Sequence, residues 1–170
     1  MVIIYTGNGK GKTTAALGLV LRAVGYKRKC LIVQFGKAWF TGEIEGIKKL
    51  SGVKLIQGGK GFVKILGDKL PFKEHKKAAL DTFDLLYKEV MSGNWDVIVA
   101  DEIIGAAVSK LISVSSVVKL VTDKPDQIDL ILTGRNVPAE LIDLADLVTE
   151  MKEIKHPYQK GILAKKGVDF

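Results

Sequence analysis

The 170-residue sequence predicts an α/β fold of three layers, with a mainly parallel sheet covered by helices on both faces. Three observations predict it. Short apolar runs alternate with helix-patterned segments along the chain, which is the rhythm of strand–helix–strand crossovers. The runs are near-continuously apolar, as strands buried on both faces must be. Two of them end in ligand-binding residue types, the first in a glycine-rich loop with Lys12-Thr13-Thr14 and a later one in Asp101-Glu102. Ligands of such sheets gather at the carboxyl ends of the strands.

The first apolar run is Val2-Ile3-Ile4-Tyr5. It leads into Gly7-Asn8-Gly9-Lys10-Gly11-Lys12-Thr13-Thr14, and a helical pattern from Ala15 to Val24 leads out. Strand, glycine loop, Lys-Thr and helix together cradle a polyphosphate. Glycines let backbone N–H groups close on the phosphates, the lysine supplies a point charge, and the threonine hydroxyl holds Mg²⁺. The helix turns its positive end to the same anion. This is a P-loop of unusual spacing, because Thr6 stands where the first glycine of a Walker A motif belongs and Gly7 is one place late. Either the mouth of the loop carries a threonine, or the turn is tighter than usual. The bland alternative is a glycine turn that binds nothing. It leaves the conjunction of strand, Lys-Thr-Thr and helix unexplained.

Gly25 is the expected stop of the first helix. Lys29 to Phe35 reads as a second buried strand, with Cys30 a small buried hydrophobe rather than a nucleophile. The loop of residues 36–42 carries Lys37, Trp39 and Phe40, whose aromatics either meet a ligand or pack on the fold. Glu43 to Leu50 reads as a short helix closed by Gly52, and Val53 to Gln57 as a strand. A glycine-rich loop follows from Gly58 to Gly67, around Phe62. Lys73 to Ser92 reads as a long helix whose core face is Ala79, Phe83, Leu86 and Val90. His75 falls on its charged side and is expected to be solvated. Trp95-Asp96-Val97-Ile98-Val99-Ala100 delivers Asp101-Glu102, the Walker B pattern, which brings carboxylates to a nucleotide's Mg²⁺. Alone, the two acids could equally open a surface helix.

Gly105 to Ile112 and Ser113 to Val121 read as helical segments, with Ser113 the N-cap of the second. Ile128 to Thr133 is a further strand, and Gly134-Arg135 sets a phosphate-facing arginine at the sheet edge. Ala139 to Ala145 is a short helix begun by Pro138, and Leu147 to Lys152 a last strand. The tail, about residues 153–170, lacks the apolar periodicity of a helix. The whole reads as one domain over residues 1–170.

Composition narrows the function. Hydrophobic residues make up 47% of the chain, so it is globular rather than disordered. No apolar run approaches the ~20 residues of a membrane span, and a core strand at the start leaves no room for a signal peptide. The single cysteine fits a reducing cytoplasm. The net charge of +7 is spread along the chain without interleaved aromatics, so attraction to an anionic nucleotide is a better reading than a nucleic-acid groove. No transition-metal cluster or Ser-His-Asp set is legible. The residues thus indicate a Mg²⁺-dependent nucleoside-triphosphate protein that brings the nucleotide close to a second ligand. A small P-loop kinase or ATPase and a nucleotide-gated nucleic-acid binder both remain compatible with that.

Five stretches resemble the P-loop type of ATP:corrinoid adenosyltransferases. They are Tyr5 to Gly18; Val33-Gln34-Phe35 with Lys37 and Gly42-Glu43; Gly61-Phe62; Asp101-Glu102; and Leu132 to Arg135 with Ala145 to Met151, Lys155 to Tyr158 and Gly161 to Phe170. The loop spacing and the tail are the family's own.

The resemblance implies a RecA-like fold and a reaction. The cobalt(I) of a reduced corrinoid attacks the 5′ carbon of ATP, and triphosphate leaves intact. ATP is held reversed, its γ-phosphate deep in the loop. By match, Gly7, Asn8, Gly9, Lys10, Gly11, Lys12, Thr13 and Thr14 bind ATP, with Asn8 near the α-phosphate and ribose and Arg135 a further contact. Lys12 and Glu102 are the catalytic pair, and Thr13, Asp101 and Glu102 hold Mg²⁺ or Mn²⁺. Lys37, Trp39, Phe40, Phe62 and Lys64 are the corrinoid-side candidates. Phe62 matches the first of two aromatics that crowd the corrinoid's lower face, while Lys64 stands where the family has a tryptophan. Three consequences stay open: another way of displacing the lower ligand, substitution by Trp39 or Phe40, or a substrate with no base to displace. The resemblance further implies a cytoplasmic homodimer served by an external reductant such as a flavoprotein, with no nucleic-acid or membrane partner.

Overall fold

The computed structural model describes residues 1–37, 40–61, 63 and 68–169. The elements follow in order as β1 (Val2–Thr6), α1 (Lys12–Gly25), β2 (Cys30–Gln34), α2 (Gly42–Ile47), β3 (Val53–Gln57), α3 (Phe72–Met91), β4 (Val97–Asp101), α4 (Ile103–Val108), α5 (Val114–Asp123), β5 (Asp129–Thr133), α6 (Ala139–Leu144) and β6 (Leu147–Glu150). A single 3₁₀ turn, Pro157–Lys160, interrupts the tail.

The strands form one parallel sheet in the order β3-β2-β4-β5-β1-β6. Alternate residues of each inner strand feed opposite faces. On one face Ile4, Leu31, Val33, Ile98, Ala100, Leu130 and Leu132 pack with Leu86 of α3, Ile104 of α4 and Leu120 of α5. On the other, Ile3, Cys30, Ile32, Val97, Val99 and Ile131 pack with Ala16 and Val20 of α1. Burial on both faces is why these runs are apolar throughout rather than alternating. Cys30 is fully buried, and that burial pushes its thiol up to about 11, which leaves it inert.

Several boundaries differ from expectation for local reasons. Helix α1 begins at Lys12, because Gly11 (φ 119°) turns the chain directly into it. It ends through Lys27 (φ 59°) rather than Gly25, which is still helical. Helix α4 begins at Ile103, immediately after Glu102, whose φ of 62° makes the sharp turn out of β4. Ser113 caps α5 as expected, its hydroxyl accepting from the Ser116 N–H at 3.0 Å.

His75 is the clear correction. It is buried on α3 rather than solvated, with Nε2 3.0 Å from the Asp68 carboxylate. Asp68, just before α3, meets His75 on the helix's first turns, a tertiary contact that helical periodicity does not register.

Candidate active site

The crossover order places β5 between the P-loop strand β1 and the acid-bearing strand β4. Thr133, at the end of β5, joins the two. Its hydroxyl donates to Asp101 Oδ1 at 2.8 Å and accepts from the Glu102 N–H at 2.9 Å. Thr13, in the first turn of α1, donates to the same Asp101 oxygen at 2.8 Å. One buried carboxylate therefore ties together the P-loop helix, β4 and β5.

The P-loop lies flat against the residues that follow β6. The Gly9 N–H donates to the Met151 carbonyl at 2.7 Å. A Cβ on Gly7 would stand 2.5 Å from that carbonyl oxygen, and one on Gly9 2.7 Å from it. Gly7 (φ 96°) and Gly11 (φ 119°) also adopt left-handed backbone that other residues resist. The Lys12 ammonium is enclosed by the loop, donating to the Gly7 and Gly9 carbonyls at 2.8 and 2.9 Å. Burial holds its pKa below the ordinary lysine value, with Glu102 and Asp101 pulling the other way and Arg135 adding to the fall.

Glu102 is partly buried. Desolvation, and after it the neighbouring Asp101 charge, raises its pKa above the usual carboxylate range, against the pull of Lys12. Lys37 lies at the same sheet edge, 3.0 Å from Glu43 and 3.3 Å from Asp101. Burial opposes its charge, but the two carboxylates outweigh that and hold its pKa above the ordinary value. Burial likewise pushes Glu43 up, and the Lys37 contact overcomes it, leaving Glu43 below its usual range. Gln34 donates to both Asp101 and Glu43 at 3.3 Å, and Gln57 donates to Gln34 at 3.1 Å, so the edge is a connected polar network.

Two cavities open on this network. The larger, about 530 Å³, runs along Lys12, Thr13, Lys37, Glu43 and Glu102. Thr14 and Lys10 also line it. The second, about 310 Å³, lies on the other side of Lys12 and Lys10, between Asn8 and Arg135 and a wall of Tyr158 and Leu163 from the tail. Asp169 reaches both cavities, and Lys10 donates to its carboxylate and to the Val168 carbonyl. A third, smaller and mainly apolar cleft of about 100 Å³ shares Glu102 with the first.

Of the sequence candidates, Gly7 to Thr14, Asp101 and Glu102 converge, and Arg135 stands across the second cavity from the tail. Lys37 sits with the P-loop groups, paired to carboxylates, rather than on an outlying loop. Phe40 is 60% exposed. Trp39, Phe62 and Lys64 lie outside the described residues. Sequence reasoning missed Thr133, Met151 and Asp169. Thr133 carried a faint signal, a polar residue closing an apolar run; the other two act through backbone proximity and tail folding, which leave none.

Gly105, in the first turn of α4, faces the Glu102 carboxylate: an added Cβ would stand 2.8 Å from Oε2. The contact is with the tip of a flexible side chain, so Gly105→Ala should fold, gaining helix propensity of ~1 kcal/mol. It should still move the carboxylate and cut turnover by up to about 10²-fold. Thermal melting beside a turnover assay checks this; unchanged turnover would show that the position of Glu102 is not critical.

Comparison with known proteins accounts for this arrangement. A family model described as ATP:corrinoid adenosyltransferase BtuR/CobO/CobP matches residues 1–170. A corrinoid adenosyltransferase of Sinorhizobium sp. is 37% identical over all of this chain and 80% of its own length. That of Escherichia coli K12 is 31% identical over all of this chain and 85% of its own. Among solved structures, a KaiC-like protein from Pyrococcus horikoshii superposes with a TM-score of 0.58 at 18% identity, covering 99% of this chain and 75% of that one, which shows a shared fold. With a match from end to end and relatives above 30% identity, the chain belongs to the ATP:corrinoid adenosyltransferase family.

Proposed function

We propose that this protein transfers the 5′-deoxyadenosyl group of ATP to the cobalt(I) of a reduced corrinoid. The observation that carries the reading, beside family membership, is the position of Glu102, which lines both the P-loop cavity and the apolar cleft. A triphosphate in the first and a corrinoid edge near the second would meet at that residue. The cobalt lone pair forms the Co–C bond at C5′. The C5′–O bond breaks, and its electron pair leaves with the triphosphate. Lys12, among the loop carbonyls, is placed to balance that growing charge, and Lys37 to add to it. Asn8 would lie near the α-phosphate and ribose, with Arg135 a further ATP contact.

The donor set also suits a divalent cation. The Thr13 hydroxyl and the Glu102 carboxylate supply oxygen, with Asp101 fixing the hydroxyl from behind. Such oxygen-only donors, completed by phosphates and waters, fit Mg²⁺ or Mn²⁺ arriving with ATP. The ion would supply charge neutralisation of the triphosphate.

The family resemblance is the basis for three further proposals: a homodimer, a cytoplasmic location and an external flavoprotein reductant. Among the described residues no helix is long and apolar enough to cross a membrane.

Phosphorus NMR of the products tests the main reading. Stoichiometric triphosphate with an adenosylated corrinoid is expected; ADP and phosphate in its place would indicate a kinase or ATPase instead.

A pH profile of turnover with pre-reduced corrinoid is a second check. Glu102 has a raised pKa and must be ionised to act. Activity should therefore fall, as pH drops, at a value above the ordinary glutamate range. Lys12 has a lowered pKa and must be charged, so the alkaline limb should lie below the ordinary lysine value. In Glu102→Gln the acid limb should move; an acid limb identical to that of the parent would assign it to another group.

A further inference from the structure

The apolar cleft beside Glu102 contains a buried group the reaction does not use. His75 lines it, together with Phe35, Gly59, Val63 and Ser109. The imidazole is 1% exposed, and its Nε2 stands 3.0 Å from Asp68 Oδ2. An ionised carboxylate only accepts hydrogen bonds, so Nε2 carries the proton. In the neutral ring Nδ1 is then a bare acceptor, and it has no partner among the described residues. A buried acceptor without a donor is unfavourable, so such a group ordinarily answers to something that enters the site. The cleft holds about 100 Å³, several times the ~10–15 Å³ one water needs. That is space for a short side arm, not for a macrocycle.

We propose that His75 is a specificity-determining residue that reads whether a peripheral arm of the corrinoid is a carboxamide or a carboxylate. The inference rests on the corrinoid reading above. Corrinoids carry acetic and propionic arms around the ring, each either free or amidated. An amide N–H donates to Nδ1 and satisfies it. A carboxylate in the same place offers only lone pairs to the Nδ1 lone pair and lies in the same cleft as Glu102. Lys60, the cation lining the cleft among the described residues, does not reverse this, because its ammonium is 2.7 Å from Glu74. The apolar walls strengthen the discrimination, since a mismatched polar pair there has no water to compensate it.

The test compares cobyrinic acid, with its arms as carboxylates, against its heptaamide. Dissociation constants are measured without nucleotide, and KM with pre-reduced corrinoid and ATP. The parent protein should bind the heptaamide at least tenfold more tightly. His75→Phe, which keeps a ring and removes the acceptor, should lower that ratio at least fivefold. His75→Asn, which restores an acceptor near Nδ1, should recover part of it. Asp68→Asn addresses the same atom without touching the ring. Asp68 Oδ1 accepts from the Leu70 N–H at 3.0 Å, so an asparagine there turns its NH₂ toward Nε2 and shifts the proton to Nδ1. That variant should lose or invert the preference even if the phenylalanine variant fails to fold. Equal affinity of the parent for both corrinoids, or a preference unchanged in folded His75→Phe or Asp68→Asn, would overturn the inference. If neither corrinoid binds the parent protein, the corrinoid reading falls instead and takes this inference with it.

Discussion

Replacing Lys12 by alanine is expected to lower the rate of adenosylation by about 10²–10³-fold, the usual effect of removing one preorganised charge partner of a developing anion. The physical reason is the order of charges. Triphosphate leaves with the electron pair of the C5′–O bond, and the ammonium is the cation that the loop itself encloses, between the Gly7 and Gly9 carbonyls. Its lowered pKa shows that burial already strains the free ammonium, so it gains most when negative charge arrives. The assay uses pre-reduced cobalt(I) corrinoid, which separates the transfer from the reduction. ATP affinity is measured in parallel, because a lysine that merely binds ground-state phosphate would change the dissociation constant and leave kcat alone. A variant turning over within tenfold of the parent would remove Lys12 from the transition state.

Asp101→Ala should be the most damaging change to stability. The residue is wholly buried and accepts from Thr13, Thr133 and Gln34 while facing Lys37. Removing it leaves two hydroxyls without their acceptor and the partly buried Lys37 with Glu43 alone. Breaking a buried pair in this way typically costs about 3–5 kcal/mol. In a chain of this size that corresponds to a fall in melting temperature of roughly 10 °C. Asp101→Asn should lie between the two proteins. Its oxygen can still accept from both threonines, but its NH₂ group then meets the Lys37 ammonium and the Gln34 amide, donor against donors. Calorimetry or thermal melting of the three proteins decides. An alanine variant melting with the parent would mean that the polar network at the sheet edge is stabilising nothing.

These two residues were legible in the sequence because Asp101 closes an apolar run and Lys12 stands in the glycine loop that follows one, and strand ends are where a parallel sheet presents ligand-binding groups. The order of elements was legible for a related reason: strands buried on both faces cannot hide their composition. What stayed illegible depends on contacts across the fold. His75 follows helical periodicity onto the charged face of α3, yet it is buried with Asp68, seven residues earlier, as its partner. The unusual loop spacing was visible, but not that Met151 lies close enough to exclude any side chain at Gly7 or Gly9. Asp169 gave no signal, since an acid near the end of a polar tail is ordinary until the tail folds onto Lys10.

The neighbours of β1 have a consequence for how the protein is made. Val2 pairs with Leu130 and Ile3 with Leu147, so β1 leaves the ribosome long before either of its partners. At ~5–20 residues per second, β1 waits several seconds or more before either neighbour exists. Until then an apolar strand hangs with two open edges, the kind of surface chaperones bind and aggregates recruit. Only the β2–β3–β4 part of the sheet can assemble meanwhile. The nucleotide loop, set between β1 and α1, is therefore among the last features of the sheet to be framed, although it is synthesised before β2 to β6.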